Sequence, residues 1–159
     1  MKFCKQIVLV AIIFCWSLVA NAQTQAPALK LKNTRGATVN LSNYKGKVTL
    51  VNFWATWCPP CRAEMPDLIR WQRDFRGKGL RIIGITYPPT SLREVRQFTR
   101  SIGVNYPILI GTKKTKALFD PGEAMPLTIV IDRKGRIIDR IEGIILREEF
   151  EQKVKPLLD

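Results

Sequence analysis

Apolar and polar residues change period several times along this chain, and each change marks an element. From Leu29 to Leu41 they alternate on both sides of Asn33–Gly36, which reads as a hairpin. Tyr44-Lys45-Gly46-Lys47 reads as a turn. Val48 to Trp54 is apolar apart from Thr49 and Asn52, which predicts a buried strand. A helix is expected from about Pro59, because Met65, Leu68, Ile69 and Phe75 recur near a helical period, with Gln72 a polar exception. Pro66 lies inside it and is expected to kink it, and Gly77 and Gly79 end it.

Leu80 to Thr86 predicts a second buried strand, followed by a Tyr87-Pro88-Pro89 loop. Ser91 can cap a helix running to about Ile102, with Glu94 completing a capping box. Pro107 to Ile110 reads as a short strand and Lys113 to Phe119 as a helix. Leu127 to Asp132 and Ile137 to Glu142 read as strands joined by a turn at Lys134-Gly135. Arg147 to Leu158 is expected to close the chain as a helix whose last turn Pro156 loosens. Strands alternating with helices, then a hairpin and a final helix, make an α/β fold with a mixed central sheet.

The first residues differ in kind. Lys2 and Lys5 precede an apolar run from Ile7 to Ala20, broken only by Ser17, and Ala20-Asn21-Ala22 offers a cleavage site before Gln23. Residues 1–22 are read as a signal peptide or an N-terminal anchor, 23–28 as a linker, and 29–159 as one domain. The expected location is periplasmic or otherwise extracytoplasmic. Cys4 and Cys15 fall in the signal, which leaves Cys58 and Cys61 to the exported domain. Two cysteines cannot build a four-thiolate zinc site, and the chain has no histidine, so His-based catalysis is excluded. Arg62 follows Cys61, so there is no haem-attachment motif. No metal or organic cofactor is expected.

The chain carries 26 Lys and Arg against 13 Asp and Glu, a net charge of +13. Outside the cytoplasm such a surface meets anionic lipid head groups or acidic proteins, not nucleic acid. A merely soluble basic surface fits the composition equally well. Arg93, Arg96 and Arg100 share one face of their helix. With Lys113, Lys114 and Lys116 they form either a docking surface or a solvated face.

Trp57-Cys58-Pro59-Pro60-Cys61 stands where the first buried strand meets the first long helix. Two thiols three positions apart on a first helical turn can reach disulfide geometry with little backbone movement. Cys58 lies at the positive end of the helix dipole, beside unpaired backbone N–H groups, which favours the attacking thiolate. Cys61, deeper in the turn, can resolve a mixed disulfide. Pro59 and Pro60 restrict the loop and remove two N–H donors. A structural disulfide or a Cu(I)-binding thiolate pair would use the same spacing. Placement after a strand in an exported domain favours redox chemistry. Trp54 reads as core, whereas Trp57, beside the nucleophile, is expected to shield the disulfide and contact partners.

Gly46-Lys47 and the run from Val51 to Pro66, VNFWATWCPPCRAEMP, resemble the TlpA/ResA-like branch of the thioredoxin superfamily, over about Leu29 to the C-terminus. The resemblance implies a thioredoxin-like fold with an N-terminal hairpin and an inserted helix and strand between Pro88 and Ile110. It implies an extracytoplasmic thiol-disulfide oxidoreductase that reduces exported proteins bearing disulfides, in a setting such as cytochrome c maturation. A membrane thiol-disulfide donor would recharge it. Cys58 would be the exposed nucleophile and Cys61 the buried resolving thiol. Ala124-Met125-Pro126 matches the loop facing the disulfide, with Pro126 cis and Met125 in contact with substrate beside Trp57, Pro59 and Pro60. Asn52 replaces the buried Asp of thioredoxin itself, which leaves Glu64 as the acid–base group. A disulfide-forming oxidase or isomerase is the alternative activity. A thiol peroxidase is disfavoured, because Ala55 stands where the related peroxiredoxins place a Thr.

Overall fold

The computed structural model describes residues 24–87, 91–119 and 125–159. The expected signal with Cys4 and Cys15, the Pro88-Pro89 pair and Ala124 lie outside the described residues. The first strand, β1 (Lys30–Lys32), pairs antiparallel with β2 (Thr38–Asn40). Their turn is built by Asn33, whose Oδ1 accepts the Arg35 and Ala37 N–H groups at 2.9 and 3.0 Å, and by Gly36 at φ 86°. After a 3-10 turn over Leu41–Tyr44 come β3 (Val48–Trp54), α1 (Pro59–Phe75), β4 (Leu80–Thr86) and α2 (Leu92–Ser101). The order continues with β5 (Ile108–Ile110), α3 (Lys113–Phe119), β6 (Leu127–Ile131) and β7 (Ile137–Glu142).

The main sheet has the order β5-β4-β3-β6-β7. Strands β3, β4 and β5 run parallel, and β6 and β7 add antiparallel neighbours. Every residue of β3 is buried, as its unbroken apolar run requires of a central strand. Leu50, Trp54, Ile82 and Val130 face α1, α2 and the C-terminal segment, where Met65, Leu68, Val95 and Phe150 close one core. Val51, Phe53, Ile83 and Ile129 face the other way and pack with Leu29, Leu31, Leu41 and Phe119. The alternation of strand side chains thus fills two layers from a single strand.

Three details depart from the expected pattern. Gln72 is buried because its Oε1 accepts the Ile82 N–H at 2.7 Å. Two residues on, along the same edge, Gly84 N–H donates to Pro107 O at the start of β5. Gln72 therefore supplies the acceptor that the short β5 does not reach. The C-terminal run is not one regular helix. It passes from an α turn at Arg147–Glu149 through a π turn at Phe150–Val154 to a 3-10 turn at Lys155–Leu157. Pro156, which has no N–H, lies in that last turn. The stretch expected to be a linker is also held. Ala26 N–H donates to Gly135 O at 2.9 Å and Ile137 N–H to Thr24 O at 2.8 Å.

Candidate redox site

The site forms where β3 ends and α1 begins. Cys58 is the N-cap of α1 in an extended conformation, with Pro59 and Pro60 in the first turn. Proline suits that turn because its missing N–H would have no helical partner there. The Cys61 N–H, one of the donors a helix start leaves free, points to Cys58 Sγ at 3.2 Å. Cys58 and Cys61 form a disulfide, with Cα atoms 5.3 Å apart. Both cysteines are buried, Cys61 fully and Cys58 at 3% exposure, so in this disulfide form Cys58 is not the exposed thiol that the resemblance implies. Pro59 and Pro60 are exposed, and Trp57 stands out beside them at 60% exposure.

The loop before β6 forms the opposite wall. The Met125–Pro126 peptide is cis, Pro126 is buried and Met125 half-buried. The Met125 carbonyl oxygen lies 3.7 Å from Cys58 Sγ. Of the sequence-identified site residues, Trp57, Cys58, Pro59, Pro60, Cys61, Met125 and Pro126 thus gather around one disulfide. Arg62, next in the chain, lays its guanidinium over the Phe98 ring at 5.1 Å and ties α2 to the first turn of α1.

Glu64 follows Cys61 by three residues, so the two share a helix face. It is 1% exposed. Its Oε1 accepts the Asn52 Nδ2 at 2.7 Å, and its Oε2 accepts the Ile145 N–H at 3.2 Å. Asn52 Nδ2 also donates to Thr128 Oγ1 at 3.1 Å. Burial pushes the Glu64 carboxyl up from 4.5 to about 7, partly opposed by the bonds from Asn52 and Ile145. A carboxyl that titrates near neutrality, one turn from a buried thiol, is equipped to exchange a proton with it. Its charge adds to burial in raising the Tyr106 hydroxyl. Neither Ile145 nor Thr128 was identified from sequence. Both lie far from Glu64 along the chain, and Ile145 acts through its backbone, which no side-chain pattern reveals.

Among the described residues, no three His, Cys, Asp or Glu side chains gather as a metal site would require, and no helix is long and apolar enough to cross a membrane.

Residues 22–140 match the model of the AhpC/TSA family. The thioredoxin-like protein YneN of Bacillus subtilis is 37% identical over 132 residues, covering 82% of this chain and 76% of that protein. The thiol:disulfide interchange protein HelX of Rhodobacter capsulatus is 35% identical over 142 residues, covering 87% of this chain and 78% of that one. The crystal structure of a thioredoxin-family thiol:disulfide interchange protein from Chlorobium tepidum TLS superposes with a TM-score of 0.79 at 30% identity. That match covers 86% of this chain and 97% of that one.

Proposed function

Because this chain belongs to the AhpC/TSA family within the thioredoxin superfamily and is a thiol-disulfide oxidoreductase, we propose that it reduces disulfides of exported proteins, with Cys58 attacking and Cys61 resolving. The observation that carries the assignment of roles is the unequal placement of the pair. Cys58 caps the helix, accepts an N–H and borders the exposed Trp57, whereas Cys61 lies inside the first turn, on the helix face of the buried Glu64.

In the reduced protein, the Cys58 thiolate attacks one sulfur of the substrate disulfide. That S–S bond breaks, one substrate thiolate leaves, and a mixed disulfide forms. The Cys61 thiol then gives its proton to the Glu64 carboxylate. Its thiolate attacks Cys58 Sγ and expels the second substrate thiolate. Two electrons pass to the substrate, whose thiolates take up two protons, one carried by Glu64 and one from solvent. Until that moment an ionised Glu64 disfavours charge on Cys61 and keeps it a thiol. A membrane thiol-disulfide donor restores the dithiol in an oxidising compartment. Cytochrome c maturation is the setting that the family resemblance suggests. Ala55, three residues before Cys58, offers no hydroxyl for peroxide chemistry.

Trapping tests the roles. Reduced Cys61→Ala mixed with a disulfide-bridged model peptide accumulates a mixed disulfide visible by mass spectrometry, and Cys58→Ala does not. Accumulation on the Cys58→Ala protein instead would reverse the assignment.

A further inference from the structure

The described basic residues are not spread evenly, and one group of them lines a recess that the redox chemistry does not use. The first carboxylate of the chain is Glu64, and none occurs between Glu94 and Asp120. The turn between β1 and β2 comes from the first acid-free stretch, and most of α2 with the loop to β5 comes from the second. These two stretches meet at the edge of the sheet. Thr34 N–H donates to Ile108 O at 3.0 Å, and Arg96 Nε donates to Thr34 O at 2.7 Å. Between them lies a recess of about 540 Å³ whose walls include Arg35, Arg96, Arg100, Thr99 and Asn105.

The three guanidinium groups are exposed. Among the described residues, every ion pair falls within 67–78 or 132–159, so none neutralises this recess. Like charges gathered without counter-charges repel one another and lower stability slightly, a cost that an anionic partner would remove. The bond from Arg96 to the Thr34 carbonyl fixes the direction of one guanidinium in advance, which lessens the ordering required on binding.

We propose that this recess is a docking site for an acidic segment of a protein partner. Its concavity and its cations favour a polypeptide over a bilayer. A bilayer presents a flat surface and is met best by flexible, protruding lysines, whereas planar arginine forks set in a recess match carboxylates two oxygens at a time. The same helix that forms one wall contacts the first turn of α1 through Phe98 and Arg62. A partner held here therefore rests on a helix that is itself packed against the first turn of α1, the turn that Cys58 caps.

A fluorescein-labelled oligoglutamate peptide and vesicles containing phosphatidylglycerol serve as the two probes, with the oxidised full chain at low ionic strength. The Arg35→Ala/Arg100→Ala double variant keeps the structural bond of Arg96. The Lys113→Ala/Lys114→Ala/Lys116→Ala triple variant removes more charge from α3, across the sheet. The expected result is peptide binding that weakens with salt, with Kd raised about tenfold by the double variant and little by the triple. Four results would overturn the proposal: no peptide binding, equal loss in both variants, vesicle binding without peptide binding, or binding unchanged in the double variant.

Discussion

Glu64 holds the least ordinary chemistry in the molecule, and its environment makes a prediction with a definite sign. In the unfolded chain it ionises near 4.5, and in the fold near 7. Between those values the folded state keeps a proton that the unfolded state has lost, so this group's contribution to stability falls as pH rises through that window. The oxidised protein, in which the cysteines do not titrate, should lose on the order of 3 kcal/mol relative to Glu64→Gln from below pH 4.5 to above pH 7. Denaturant titrations of both proteins across that range measure it, and parallel pH profiles would mean that Glu64 is not buried as described. In the reduced protein, the same substitution should slow resolution of the mixed disulfide and remove a transition near neutral pH from its rate. Cys58, Cys61 and Glu64 were legible from the strand-to-helix placement of the motif and from helical spacing. The bonds that tune Glu64 were not. Asn52 is twelve positions away, and Ile145 is eighty-one. Periodicity reports which face a residue occupies, not what meets it there.

Among the elements, strong periodic segments were readable to within a residue or two because burial alone explains them. The seven buried residues of β3 and the Ser91–Glu94 capping box are examples. The Ser91 Oγ accepts the Glu94 N–H at 3.1 Å, and Glu94 Oε2 accepts the Ser91 N–H at 2.9 Å. Ser91→Ala should lower stability by about 1 kcal/mol, read as a shifted urea midpoint at unchanged slope. Gln72 shows where periodicity stops being informative. A polar residue on an apolar face looks like an error in the pattern until β5 is seen to begin too late to reach Ile82. Gln72→Leu leaves that buried N–H without an acceptor and should destabilise by about 1–3 kcal/mol despite the added apolar surface. A neutral or stabilising result would show that the bond contributes nothing net. The C-terminal run was legible as helical and its proline as a disturbance. Its π turn was not, because Phe150 and Val154 are both buried there and that spacing also fits an α-helix.

For the molecule as a whole, alternating strands and helices were enough for a mixed α/β fold. The strand order β5-β4-β3-β6-β7 came from the structure alone, since periodicity carries no information on which strands are neighbours. The cis peptide before Pro126 is of the same kind, because it belongs to the loop facing the disulfide and leaves no local signature. Charge behaves differently: the two acid-free stretches can be read directly, but only the fold brings them to one edge. The direction of electron flow is a property of the whole site, set by how Cys58, Cys61, Glu64 and the Met125–Pro126 wall together favour dithiol or disulfide. Equilibrating the Cys58–Cys61 pair against glutathione buffers of graded ratio, with the two forms separated after alkylation, measures that balance in a single number. The expected midpoint lies nearer the roughly −270 mV of thioredoxin than the about −120 mV of a strong oxidant. A value at the oxidising end would contradict the reductase reading and assign the same site to disulfide formation.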